Sequence, residues 1–114
     1  QKDILLIVDE VQTGGYRTGE FLASNVYEIT PDIVTLAKGI GGGVPIGVVM
    51  TSLKDVLTYG DHGSTFGGNF LSTAATCEVL DILKEYKDSG NLDEISDYFN
   101  IKLDTFFAEN KKLF

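Results

Sequence analysis

Tryptophan is absent from this 114-residue chain, and cysteine, histidine and methionine occur once each. One histidine and no cysteine pair is poor material for a zinc site, which draws on several such ligands at short spacings. Cys77 has no partner within the chain for a disulfide, so a reducing, cytoplasmic compartment is expected. It lies inside a helical pattern, where its default role is small core filler. Basic residues are also scarce. Nine Lys and Arg face seventeen Asp and Glu, and the net charge of −8 argues against nucleic acid or an anionic membrane surface as a partner. The one basic pair, Lys111 with Lys112, is explained by a solvated helix end. No apolar run approaches the roughly 20 residues that cross a bilayer. Internal repeats and low-complexity tails are missing too.

What is present has the size of one modest domain. The chain opens on Gln1 and Lys2 almost directly before a hydrophobic strand, and its helical pattern still runs at Phe114. A segment of a longer protein is therefore expected. The apolar run from Ile4 to Val8 predicts a first strand, buried on both faces, that ends in the adjacent carboxylates Asp9 and Glu10. Thr13 to Gly19 are turn-rich. Ile33 to Leu36 predict a second strand and Ile46 to Met50 a third, with the glycine-rich "AKGIGGGVPIG" between them. Ser52 is placed to cap a short helix over Leu53 to Leu57, and "GDHGSTFGGN" reads as a further glycine-rich loop.

Beyond that loop the period changes. Leu71, Ala75, Val79, Ile82, Leu83 and Tyr86 share one helical face, with Asn69 as the cap and Ser89 and Gly90 as the stop. Asn91 and Glu94 have capping-box spacing for a second helix, whose stripe runs through Leu92, Ile95, Phe99, Leu103, Phe106 and Phe107. Short strands joined by connections and followed by helices indicate α/β architecture. The break at Ser89 to Asn91 marks the expected boundary between a unit over 1–89 and a helical segment over 90–114.

Several familiar sites fail on spacing. A phosphate-binding loop needs Gly-Lys-Ser or Gly-Lys-Thr, and here Lys38 precedes its glycines. The dinucleotide fingerprint requires Gly or Ala at 44, where Val44 stands. A nucleophile elbow around Ser64 would need glycine at 62, which is His62. Asp61, His62 and Ser64 are too crowded in sequence to count as a triad on that ground, and His62 reads as a loop hydrogen-bonder. One rival remains: four apolar residues before Asp9 and Glu10 resemble the ATPase strand that holds magnesium and positions water. That reading leaves Lys38 and the later glycine-rich stretches without a role.

A lysine at the mouth of one strand beside an aspartate at the mouth of another has a more economical explanation. Strand ends are where open α/β sheets bind ligands. A desolvated lysine is a nucleophile toward carbonyls, and a carboxylate held out of water needs a cationic partner. Pyridoxal 5'-phosphate offers an aldehyde for Lys38, a protonated ring nitrogen for Asp9 and a phosphate for glycine-rich backbone.

"DEVQTG", "RTG", "PDIVTLAKGIGGGVPIG" and "GDHGSTFGGN", in unbroken order over residues 3 to 76, closely resemble the class III, ornithine-type pyridoxal-phosphate aminotransferases. The resemblance implies the large cofactor-binding domain of a fold-type I enzyme, a mainly parallel sheet flanked by helices, with residues 90–114 leading toward the small domain. It makes Lys38 the Schiff-base lysine and Asp9 the partner of the ring nitrogen. Gln12 would hydrogen-bond the phenolic oxygen, and Val11 would pack on one ring face. Ser64 and Thr65 would reach the cofactor phosphate of a neighbouring subunit, which implies a homodimer with shared sites acting on an amino donor and a 2-oxo acid. Glu10 and Arg17 are read as structural, Arg17 holding its turn or pairing with an acid. Tyr16 stands where the family commonly has glycine, and Phe70 where proline usually follows Gly-Gly-Asn. The family's upstream phosphate loop, ring-stacking aromatic and substrate-carboxylate arginine have no counterparts here, so residues 1–114 alone are expected to be inactive.

Overall fold

The computed structural model describes residues 4–112. Gln1, Lys2 and Phe114, which entered the reading of the chain ends, lie outside the described residues. In chain order the elements are β1 (Ile7–Asp9), α1 (Ala23–Val26), β2 (Ile33–Ala37), a 3-10 turn (Lys38–Gly41), β3 (Gly47–Thr51), α2 (Phe70–Asp88) and α3 (Asn91–Glu109).

The strands form one sheet in the order β1-β2-β3. β1 runs parallel to β2, with Ile7, Val8 and Asp9 opposite Ile33, Val34 and Thr35. A parallel pair requires a crossover, and residues 10–32, which include α1, supply it. β3 returns antiparallel, pairing Met50 with Val34 and Val48 with Leu36. The α/β class holds, and the third strand makes the sheet mixed.

Side chains alternate across a strand, so this register puts Val34, Leu36, Val48 and Met50 on one face. That face is the core: Val34, Leu36 and Ile40 are buried, with Phe21, Leu22, Ile46 and Leu80 packed around them. The other face carries Ile7, Asp9, Thr35 and Val49, and no described element covers it. The expectation that β1 is buried on both faces is therefore overturned in this chain. Ile7 is 60% exposed, and Ile4, Leu5 and Leu6 are exposed as well. β1 is a sheet edge, and its strand starts later than the apolar run because only Ile7 to Asp9 find partners on β2.

The helix after Ser52 does not form. Thr51 Oγ1 accepts from Leu53 N at 3.1 Å, and Asp55 has φ +59°, a left-handed value that interrupts a helix. Asn69 does cap α2: its Oδ1 accepts from Ser72 N at 3.0 Å. The buried positions of α2 are Ser72 and Thr76, with Ala75, Val79, Leu80 and Leu83 half-buried, whereas Leu71, Ile82 and Tyr86 are exposed. Cys77 is exposed, so it is not core filler. α2 packs on the 3-10 turn, where Gly42 has φ +59° and a Cβ would stand 2.5 Å from Val79.

The Asn91 capping box is replaced by Gly90, which serves as N-cap of α3 at φ +82° and accepts from Glu94 N at 3.0 Å. A left-handed glycine turns the chain between two helices at little steric cost, and this pulls Asn91 into the first turn. None of α3 is buried. It is tied to α2 by Lys87, whose ammonium reaches Asp93 at 3.0 Å and Glu20 of the crossover at 3.5 Å. The helical pattern stops at Glu109, where Asn110 donates to Phe106 O.

Phe70 occupies the first position of α2 and is 93% exposed. That position tolerates proline because its N–H has no partner within the helix. Asn69 already has the extended backbone, φ −62° and ψ 152°, that a residue before proline requires. Phe70→Pro is accordingly expected to stabilise the full-length protein by about 0.4 to 1 kcal/mol in denaturant unfolding. A loss of stability would contradict this geometry of the helix start.

Candidate active site

The C-terminal ends of the parallel strands β1 and β2 lie at the same edge of the sheet, and each ends in a chemically useful residue. β1 ends in Asp9, while β2 hands the chain to Lys38. Lys38 has φ +51°, a left-handed conformation that non-glycine residues rarely hold. Such a residue costs about 1 to 3 kcal/mol and persists only where its surroundings impose it. Here the extended Ala37 precedes it and the 3-10 turn follows at once.

Lys38 Nζ donates to Gln12 Oε1 at 2.5 Å. Both side chains line a cavity of about 770 Å³ whose wall includes Val11, Tyr16, Arg17, Gly39 and, from α3, Ile95, Ser96 and Phe99. Its two charged lining residues, Arg17 and Lys38, are both cations. Asp9 is exposed on the uncovered sheet face just before Val11. Its Oδ1 accepts from Val11 N at 2.9 Å, and Oδ2 has no hydrogen-bond partner among the described residues.

Of the residues singled out in sequence, the structure thus brings Val11, Gln12 and Lys38 to one cavity. Ser64 lines a different pocket, of about 410 Å³, together with Pro45, Ile46 and Asn69. Its Oγ accepts from Gly67 N at 2.8 Å, and Thr65 beside it is exposed. Arg17 forms no ion pair with a described acid; its guanidinium lies against Gly39. Asp61 is a turn residue that accepts from both the backbone and the hydroxyl of Thr58 at 2.8 Å, which holds its carboxyl below the usual range. His62 is exposed and makes no hydrogen bond among the described residues. No group of three or more described His, Cys, Asp or Glu is placed to hold a metal ion. No described helix is long and apolar enough to cross a membrane.

The cavity's other wall was not foreseen. Ile95 and Phe99 carry the α3 stripe that sequence reads as core, and nothing in the pattern distinguishes a helix face that covers a cavity from one that fills a core.

Glu10 behaves as a structural carboxylate. It is 1% exposed. Oε2 accepts from the Thr13 hydroxyl and from Ala23 N at 2.9 Å, and Oε1 accepts from Ser24 N at 2.7 Å. Burial pushes its carboxyl up, but the bonds from Thr13, Ser24 and Ala23 together outweigh that and leave it below its ordinary value of 4.5. The backbone is used as well. Glu10 N donates to Thr35 O at 2.9 Å, and Gly14 N donates to Glu10 O at 2.8 Å. Gly14 is needed for that turn, since a Cβ there would stand 2.2 Å from Leu36 and 2.8 Å from Glu10 O. Tyr16, at φ +65°, is steadied by an edge contact with Phe21, centroids 5.5 Å apart.

The model of the family "Aminotransferase class-III" matches residues 1–113. The chain is 55% identical over 114 residues to the acetylornithine aminotransferase of Wolinella succinogenes, covering 100% of the chain and 29% of that protein. It is 47% identical over 106 residues to the succinylornithine transaminase of Salmonella enteritidis PT4, covering 91% of the chain and 26% of that protein. Among solved structures, the ornithine aminotransferase of Toxoplasma gondii aligns with a TM-score of 0.69 at 51% identity, covering 75% of this chain and 21% of that one. That crystal structure has partial occupancy of PLP at its active site. The chain belongs to the class-III aminotransferase family. It spans under a third of the length of these relatives. Membership displaces the ATPase reading of Asp9 and Glu10.

Two outcomes follow for stability of the full-length protein. Because the folded-state pKa of Glu10 is depressed, its contribution is complete above the ordinary carboxylate range and is lost as pH falls through the folded value. Glu10→Gln should therefore cost about 1 to 3 kcal/mol at pH 7, and urea titrations should show the gap from wild type narrowing below about pH 4. A pH-independent gap would show that ionisation of Glu10 is irrelevant. Gly14→Ala should cost about 1 to 3 kcal/mol by overpacking, and a neutral result in the same titration would refute the close approach to Leu36.

Proposed function

We propose that the protein is a pyridoxal-phosphate-dependent aminotransferase that transfers the amino group of N-acetylornithine to 2-oxoglutarate, giving N-acetylglutamate 5-semialdehyde and glutamate in arginine biosynthesis. The observation that carries the reading is Lys38, held in a left-handed backbone at a strand mouth with its amine on Gln12, in a member of this family. The 55% identity over all 114 residues to part of an acetylornithine aminotransferase supports that donor, as does the loop "GDHGSTFGGN". A second reading, an N-succinylornithine donor, is favoured by the 47% identity to the Salmonella enzyme. Ornithine is the donor suggested by the Toxoplasma structure.

The residues present fit the cofactor. The cavity offers an amine at Lys38 and an amide at Gln12; Asp9, which does not line it, has a carboxylate oxygen without a partner among the described residues. When bound, pyridoxal phosphate supplies an aldehyde for an amine and a ring that takes up an electron pair. Lys38 would hold the cofactor through its amine and, when free of it, would serve as the base that moves a proton at the substrate carbon bearing the amine. Asp9 would hold the ring nitrogen and keep it protonated. Gln12 would donate its amide to the phenolic oxygen, and Val11 would bear on the ring face. Ser64 and Thr65 serve the phosphate of the partner subunit in a homodimer with shared sites. Their separation from the Lys38 cavity supports that division of labour. Residues 1–89 contribute to the cofactor-binding domain, and 90–114 lead toward the small domain. A cytoplasmic site of action belongs to the proposal, in keeping with one cysteine in the chain.

Borohydride reduction of the full-length protein with pyridoxal phosphate, followed by peptide mass spectrometry, should find a phosphopyridoxyl group on Lys38. An unmodified Lys38 in cofactor-saturated protein overturns the reading. Lys38→Ala should lower kcat about a thousandfold or more. The highest kcat/KM is expected with N-acetylornithine; a preference for ornithine itself would replace the proposed donor.

A further inference from the structure

We propose that Glu10 is a positioning residue of the active centre: its buried carboxylate holds the turn that carries Gln12, and through Gln12 sets where the Lys38 amine sits. The inference rests on the reading of Lys38 as the amine that takes the cofactor.

Glu10 is fully buried and does not line the cavity, so it touches neither cofactor nor substrate. Its contacts nevertheless surround Gln12. Before Gln12, the Glu10 backbone is fastened to β2 through Thr35 O. After it, the Thr13 hydroxyl donates to Glu10 Oε2 and Gly14 N donates to Glu10 O. The far end of the loop is drawn to the same carboxylate by Ala23 N and Ser24 N. Gln12 is therefore the apex of a turn closed on both sides. Its side chain meets Lys38, 26 positions away in sequence, at 2.5 Å.

The direction of dependence follows from burial. The Gln12 and Lys38 side chains are exposed and have no other hydrogen bond among the described residues. Exposed partners do not hold each other in place, because each keeps its rotamer freedom. The carboxylate has no such freedom: withdrawn from water, it must keep its donors or be left uncompensated. Glu10→Gln sets an amide N–H₂ against donors and loses at least one of the three side-chain bonds. Thr13→Ala deletes only the hydroxyl adjacent to Gln12.

The test is a double-mutant cycle on the full-length enzyme loaded with pyridoxal phosphate, using E10Q, Q12A and E10Q/Q12A. Each single variant should lower kcat about tenfold, with KM for the amino donor changed less than about twofold. The double variant should be no worse than Q12A alone, since removing Gln12 removes what Glu10 acts through. T13A should fall in the same direction by about threefold. A second readout needs no turnover. In cofactor-free protein, the rate at which trinitrobenzenesulfonate labels Lys38, followed by peptide mass spectrometry, should change by the same factor in E10Q and Q12A. Losses that multiply in the double variant, or Lys38 labelling in E10Q at the wild-type rate, would overturn the inference. If E10Q is not recovered folded, T13A with Q12A completes the same cycle, with the same result expected and the same multiplicative loss decisive against it. Failure of wild-type Lys38 to take up the phosphopyridoxyl group would instead sink the parent reading.

Discussion

A carboxylate removed from water must find donors, and the half of this structure that carries the candidate site is arranged around one that has. Burial pushes the Glu10 carboxyl up, and the bonds from the Thr13 hydroxyl and the amides of Ala23 and Ser24 together more than offset that. Meeting that requirement draws together two stretches of a long crossover that its short strand could not restrain. β1 contributes only three paired residues. With the loop gathered in, Phe21 and Leu22 reach the core beside Leu36 and Ile40. Gln12 is turned toward Lys38 by the same closure.

Asp9 and Glu10 are neighbours with opposite fates, and the cause is the two-residue period of a strand. Asp9 shares a face with Thr35, across from the core. Glu10, one position on, falls to the packed side. One carboxylate is thereby kept available to a ligand while the other is consumed by structure. Lys38 is arranged by a comparable contrast. β2 ends in the extended Ala37, and the chain then tightens at once into a 3-10 turn, so the lysine absorbs the change in a left-handed backbone. Strain of this kind persists where surroundings over-determine a residue, and it recurs at functional sites.

Much of this was legible in the chain. β2 and β3 lie within one residue of their apolar runs, because β-branched stretches bounded by glycine have few alternatives. Asn69 capped its helix, and Glu10 proved structural. The failures share a form. Ser52 and Asn91 were each placed to cap by local spacing, and in each case another group intervened: the Thr51 hydroxyl took Leu53 N, and the left-handed Gly90 served as cap before Asn91. α1 and the 3-10 turn went unread because they are single turns with no periodicity to detect. The helical stripes located the helices well and their burial poorly. α2 buries Ser72 and Thr76, which no hydropathy pattern would select.

By itself the sequence pointed to the family, since four motifs stand in unbroken order along the chain. It also placed β2, β3 and the two long helices, because these follow from short-range periodicity. The tertiary structure decided which of those residues meet. Only the strand register separates Asp9 from Glu10, and only the closed crossover puts Gln12 against Lys38, a contact between residues 26 positions apart. Such a contact depends on two stretches of the crossover converging on one buried carboxylate, and no local pattern encodes that.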